Sequence, residues 1–198
     1  MLEKTGFNAN YDIELRSNVA EQDCDYRFSV ARPDIAEGEL VLETSPASKV
    51  VGFNPTIGDV WSGSFECGPE GISGFYATPS PDTVCCILKG QGYWVPVLSP
   101  ESYQLIPSVP IKEVISIVEK NLIIFVDYTS IAAFDETGLR WSTRRLSWDG
   151  LKIDRVVDER IEGRGWDSPK GEYVAFAVDL DSGTSRGGSS PAHYGAKQ

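Results

Sequence analysis

A catalytic histidine, a reactive thiol, a carboxylate pair or a metal cluster would each leave a signature of residue type and spacing. The single histidine, His193, lies in a Gly- and Ser-rich stretch near the end of the 198 residues. No supporting shell is expected there to hold it as Ser-His-Asp chemistry requires. The four cysteines, Cys24, Cys67, Cys85 and Cys86, include no CxxC pair, so zinc-ligand spacing is missing. A thiolate needs a cation, a His or a helix N-terminus beside it. Cys85 and Cys86 sit in an apolar run that disfavours the charge. Cys67, next to Gly68-Pro69, is the one cysteine expected to be exposed. Buried free thiols are the expectation for the set.

Carboxylates are plentiful: Asp127, Asp135, Glu136, Asp149, Asp154, Asp158, Glu159, Asp179 and Asp181. Glycoside hydrolysis would need two of them about 5–10 Å apart. Asp135, Asp179 and Asp181 fall at strand ends and turns, where Asp is favoured for local hydrogen bonds to the backbone. Asp179-Leu180-Asp181-Ser182-Gly183 sets oxygens at alternate positions, as a calcium site would, but is too short for an EF-hand loop. A carboxylate-dependent hydrolase or calcium-assisted sugar-binding protein using Asp127, Asp179 or Asp181 is therefore the alternative function. No resident cofactor or metal is expected. Gly90-Gln91-Gly92 lacks the Lys-Ser/Thr of a phosphate loop and reads as a hairpin turn.

The sharpest contrast lies in residues 140–170, which hold 8 Lys/Arg and 6 Asp/Glu, net +2 in a chain of net charge −11. Arg140, Trp141, Arg144, Arg145, Trp148 and Trp166 form the candidate binding site, with Lys152, Arg155, Arg160 and Arg164 between them. Arg and Trp are enriched at binding hot spots, and together they can stack on and neutralise an anionic ligand. The competing reading has the arginines pairing with surface acids and the tryptophans in the core. The preferred function is a non-catalytic binding protein with a protein partner. Because residues 1–100 carry net −8 and residues 101–198 net −3, a basic partner, as for an antitoxin or immunity protein, is compatible. A negative surface repels phosphate backbones and anionic lipid, so neither nucleic acid nor membrane is expected.

The elements that must position these residues are short strands. Alternating or continuous apolar runs mark Tyr26–Ala31, Glu39–Glu43, Lys49–Phe53, Val60–Phe65, Thr83–Leu88 and Gly92–Leu98. Further runs are Leu122–Val126, Ser130–Phe134, Leu139–Ser142, Lys152–Val157, Ile161–Gly165 and Tyr173–Leu180. Turn signals include Arg32-Pro33-Asp34, Glu37-Gly38 and Asp135–Gly138. Pro110–Lys120 is ambiguous. Ile111, Val114, Ile115 and Val118 make a helical stripe, yet the β-branched alternation favours a strand in a hairpin with Leu122–Val126. The fold class is all-β, antiparallel meander sheets, propeller-like or two packed sheets, with a β-sandwich carrying a helix at 110–120 as the alternative. Residues 1–25 read as a polar arm, 26–181 as one domain and 182–198 as a flexible tail. The opening MLEKTGFNAN has no apolar signal region, and the longest apolar run is far below a membrane span. A cytoplasmic location is expected.

Gly92–Tyr103, Asp127–Leu139 and Glu172–Thr184 share an aromatic start, an alternating strand and a polar turn. Measured at Leu98, Phe134 and Leu180 they are 36 and 46 residues apart. The middle unit, LIIFVDYTSIAAFDETGLRW from Leu122, resembles the repeat of quinoprotein-type β-propellers. That resemblance implies one four-stranded sheet per repeat, with a Trp after the turn covering the next sheet. Gly52–Trp61 (GFNPTIGDVW), Gly90–Trp94 (GQGYW), Leu146–Leu151 (LSWDGL) and Gly187-Gly188 together resemble a group of bacterial proteins of unassigned function. This implies a bacterial source and no chemistry.

Overall fold

A computed structural model describes residues 2–3, 5–17, 19–30 and 47–193. The chain is all-β, with mostly antiparallel sheets and, among the described residues, no closed barrel. The expected strand Glu39–Glu43 and the turns at Arg32-Pro33-Asp34 and Glu37-Gly38 lie outside the described residues. Where the sequence runs one domain through 26–181, contacts divide the chain into two compact units, Met1–Leu105 and Ile106–Gln198.

The first unit holds β1 (Leu2–Glu3), β2 (Tyr11–Leu15), β3 (Tyr26–Phe28), β4 (Ser48–Pro55) and β5 (Trp61–Glu66). It continues with β6 (Gly74–Ala77), β7 (Thr83–Leu88), β8 (Gln91–Pro96) and β9 (Gln104–Leu105). One sheet has the order β1-β6-β7-β8-β9 and the other β2-β4-β5-β3. The stretch expected as a polar arm thus supplies two strands: β1 pairs parallel with β6, and β2 antiparallel with β4. Alternation explains this, because Asp12 and Glu14 are exposed while Tyr11 is buried and donates its hydroxyl to the Thr83 carbonyl at 3.0 Å. The core is aromatic. Phe28 stacks on Phe65 at 4.1 Å, Phe53 on Trp61 at 4.0 Å, and Tyr93 meets Phe65 edge-on. The β7–β8 turn falls on Lys89-Gly90, both with positive φ, and Gln91-Gly92 belong to β8. The hairpin turn is therefore one residue earlier than its glycine pair suggests, because the mirror-image turn needs two left-handed residues.

The second unit holds β10 (Glu113–Ile117), β11 (Leu122–Val126), β12 (Ile131–Asp135) and β13 (Gly138–Ser142). After them come β14 (Leu151–Val157), β15 (Arg160–Asp167), β16 (Glu172–Asp179) and β17 (Ser185–Gly187). They make two four-stranded sheets, each in sequence order and antiparallel throughout. The ambiguous segment is a strand at 113–117 followed by a 3-10 turn at 118–120, with Ile117 opposite Leu122. The helical stripe fails at Val118, which is 41% exposed. Aliphatic side chains from both sheets, including Ile124, Ile131, Ile161 and Val178, share one core.

The connector 143–150 lies between these two sheets. Leu146 is buried, and its carbonyl accepts the Ser189 N–H at 2.8 Å. A Cβ at Gly165 would come within 2.2 Å of that carbonyl oxygen, so glycine is what lets the backbones meet. The stretch expected as a flexible tail starts ordered: Ser185–Gly187 is β17, and Ser189 and Ser190 are buried. Pairing with β16 satisfies its backbone in a way that composition does not reveal. The three repeated segments contain β8, β12 and β16, each the third strand of a four-strand antiparallel meander.

Candidate functional site

The six predicted site residues divide by what they touch. Trp141 is core: its ring lies against Gly183, and its indole N–H donates to the Leu180 carbonyl at 2.8 Å. A Trp after a turn does here cover the neighbouring sheet of its unit. Arg140 sits apart, 3.9 Å from Asp135. Arg144, Arg145, Trp148 and Trp166 come together around the connector. Arg144 donates to Ser185 Oγ at 3.2 Å and to the Gly187 carbonyl at 3.1 Å. Arg145 donates to the Ser147 carbonyl at 2.9 Å and to the Trp148 carbonyl. The Trp148 N–H meets the Trp166 carbonyl at 2.9 Å, and its indole N–H meets Ser189 Oγ at 3.2 Å. These groups stitch β17 and the connector in place, which leaves the two guanidinium groups engaged within the chain.

The polar surface that remains open is the outer face of the 151–187 sheet. Antiparallel register places Arg155, Glu162, Ala177 and Arg186 in one row across four strands, and Lys152, Arg164 and Ala175 in the next. Arg160 and Asp179 pair one row further, two residues along and so on the same face. A bulge between Ile153 and Arg155 inserts Asp154, which swings its carboxylate onto Arg164. Two ion pairs result, Arg155–Glu162 at 2.7 Å and Arg164–Asp154 at 2.7 Å. The Arg164 guanidinium holds the Asp154 carboxyl below the ordinary carboxylate range. At one end Lys152 lies 4.3 Å from the centre of the Tyr173 ring, which meets Trp166 edge-on at 5.2 Å. Ala175 and Ala177 give this face a low floor. Over it run a groove of about 640 Å³ and a pocket of about 300 Å³, sharing Ala177 and Arg186 at their junction. Sequence reasoning placed Arg155, Arg160 and Arg164 in the basic stretch but missed Arg186, which only strand pairing brings to them.

The alternative chemistries are engaged locally. Asp127 is buried and accepts the N–H groups and hydroxyls of Thr129 and Ser130. Asp179 accepts the Ser182 hydroxyl at 2.8 Å and its N–H at 2.9 Å, which lowers its pKa. Asp181 lies 3.6 Å from Lys120. Among the described residues no group of three or more His, Cys, Asp and Glu could hold a metal ion. His193, expected to be unsupported, is held: its Nδ1 accepts the Ser190 N–H at 3.0 Å, while Nε2 faces Arg144 at 3.1 Å. A triad histidine would meet a carboxylate instead. Cys67, expected to be exposed, is buried, and Cys24 is the more open thiol. Burial pushes the Cys67, Cys85 and Cys86 thiols up in pKa, away from a nucleophilic thiolate.

The first unit holds a more apolar cavity of about 480 Å³, floored by Val50, Phe75 and Leu88, with Lys49 and Lys89 at its rim. Its lining adjoins positions 4 and 18 in sequence, which lie outside the described residues.

No family model matches the chain, and no curated protein matches it either. Among the described residues no helix is long and apolar enough to cross a membrane.

Proposed function

We propose that the chain is a non-catalytic binding protein that takes an extended acidic segment of a protein partner on the outer face of β14–β17. The observation that carries this reading is one open sheet face with five cations, Lys152, Arg155, Arg160, Arg164 and Arg186, over an alanine floor. Three carboxylates on the same face leave it net positive within an acidic chain. At contact distance these local charges outweigh the more distant ones, because screening removes most of the field beyond about 8 Å at physiological salt. Net charge favours a basic partner; this face favours an acidic one. The face is a better docking surface than the sheet edges. Edge strand β14 is bulged and charged, and edge strand β17 is three residues long, both features that resist strand addition. A cytoplasmic bacterial setting suits this reading, and net charge −11 keeps nucleic acid a poor competitor.

The test is fluorescence anisotropy with a labelled decapeptide of alternating Glu and Thr, whose carboxylates share one face when extended. Saturable binding is expected, weakening with added salt and with Arg155→Glu or Arg164→Glu. A peptide of alternating Lys and Thr should not bind through this face. Absence of binding, or binding indifferent to both charge reversals, would overturn the proposal.

A further inference from the structure

We infer that Arg160 and Arg186 form a carboxylate anchor, which clamps one Glu or Asp side chain of the acidic partner over Ala177. This rests on the binding-face reading and specifies its chemistry. The two arginines stand on β15 and β17, flanking β16 from either side. Ala177, directly opposite Arg186, offers only a methyl group, so the space between the guanidinium groups stays open as the pocket of about 300 Å³.

The same face shows what its other arginines do. Arg164 holds Asp154 through Nε and Nη2 at 2.9 and 2.7 Å, and Arg155 holds Glu162 at 2.7 Å. Each has a carboxylate from a neighbouring strand or bulge. Among the described residues the Arg160 and Arg186 side chains make no hydrogen bond and no ion pair within 4.0 Å, and Arg160 acts on Asp179 only through its charge. They are the two arginines of the face that no carboxylate holds by a hydrogen bond, with Asp179, opposite Arg160, as the one acid beside them.

Charge selects the kind of anion. Asp179 also lines the pocket, and Ser182 fixes it as a carboxylate through its hydroxyl and N–H. Two guanidinium groups and one carboxylate leave a single net positive charge. A monoanion neutralises it, whereas a phosphate ester, at nearly two negative charges, would overshoot and face Asp179. The planar fork of arginine also matches a carboxylate in a two-point contact.

The experiment uses the full chain and the alternating Glu-Thr decapeptide, with Arg160→Gln, Arg186→Gln and the double variant. Each single change should weaken binding about fivefold, the upper range for one exposed ion pair, and the double variant more. In the unmodified protein, NMR of arginine Nε–H groups should show Arg160 and Arg186 shifting on peptide addition, a readout that needs no variant. Binding that responds to Arg164→Glu but not to the double variant overturns the anchor while leaving the binding face intact. No binding at all overturns both. Tighter binding of a decapeptide with phosphoserine in place of Glu, lost on Arg160→Gln, overturns the carboxylate assignment. So does preferential binding of oligogalacturonate, which would place the carboxylate on a sugar rather than a protein.

Discussion

The two compact units solve the same all-β problem with different chemistry. The first fills its core with rings: Phe28, Phe53, Phe65, Trp61 and Tyr93 touch one another in stacked and edge-on pairs. The second fills its core mainly with Ile, Leu and Val from two sheets, with Trp141 and Phe176 among them, and keeps Trp148, Trp166 and Tyr173 partly exposed. The second unit carries ion pairs that include Lys120–Glu159, Arg155–Glu162 and Arg164–Asp154. Where aromatic groups are consumed by the core, little remains for recognition. Where aliphatic groups suffice, rings and guanidinium groups are left for a surface.

The widest contrast should appear on truncating the cores. Phe65→Ala removes a fully buried ring from the centre of the aromatic cluster and should cost about 3–5 kcal/mol, whereas Ile124→Val should cost about 1 kcal/mol. Urea unfolding read by tryptophan fluorescence measures both, and a loss below about 1 kcal/mol for Phe65→Ala would mean that the ring cluster does not hold the first unit. Next comes Gly165→Ala, which drives a methyl group into the Leu146 carbonyl; about 1–3 kcal/mol is expected from overpacking. Gly171 meets nothing within 4 Å and has φ +67°. Gly171→Ala tests conformation without crowding, so a larger loss there would refute the close approach at 165.

Alkali should single out the first unit. Burial raises the pKa of Cys85, Cys86, Tyr11 and Tyr93, all of them in that unit. Groups with raised folded pKa values lend stability below their unfolded values, about 8.5 for Cys and 10 for Tyr, and lose it as pH rises. The urea midpoint should therefore fall between pH 7 and pH 10, with amides of β7 and β8 losing exchange protection before those of β11 and β12. In acid the sign reverses. Asp25, Asp154 and Asp179 have lowered values, set first by hydrogen bonds from Ser62, Arg164 and Ser182 respectively. Their contribution is present above about pH 4 and is lost below it. Both units share this loss, so no unit-specific acid transition is expected.

The smallest effect separates Arg144, which holds β17 on either side of Arg186, from Arg186 itself. Arg144→Ala removes the clamp on β17 and should lower the thermal midpoint, while Arg186→Ala should leave it unchanged. Equal shifts would mean that the open face is structural rather than available for binding.

Much of the fold was legible in the sequence. Thr83–Leu88 reads as a strand buried on both faces because it is nearly continuously apolar, and it is one; the apolar run Leu122–Val126 is a strand buried throughout as well. The hairpin between 152–157 and 161–165 was legible from alternation around Asp158-Glu159. What failed were judgements from composition alone. Tyr11 and Ile13 alternate within an acidic stretch and mark a strand that polarity concealed. Ser185–Gly187 has no apolar signal and exists because β16 offers it an edge. The candidate site was half legible. Sequence placed arginines and tryptophans together, but a one-residue bulge at Asp154 decides which of them share a face. Trp141 carried two readings in the sequence, a ring covering a sheet after its turn and a member of the Arg/Trp surface, and composition alone favoured the surface one.

The order of strands within the sheets also sets the tempo of assembly. In the second unit every ladder joins strands adjacent along the chain, so each closing loop is short and can form as an independent hairpin within microseconds. In the first, β3 must find β5 across β4, and β1 must find β6, which closes long loops before any contact rewards them. After dilution from denaturant, amide protection should therefore spread first through residues 113–179. The N-terminal half emerges first from a ribosome, yet it must wait for its own distant strands before it sets.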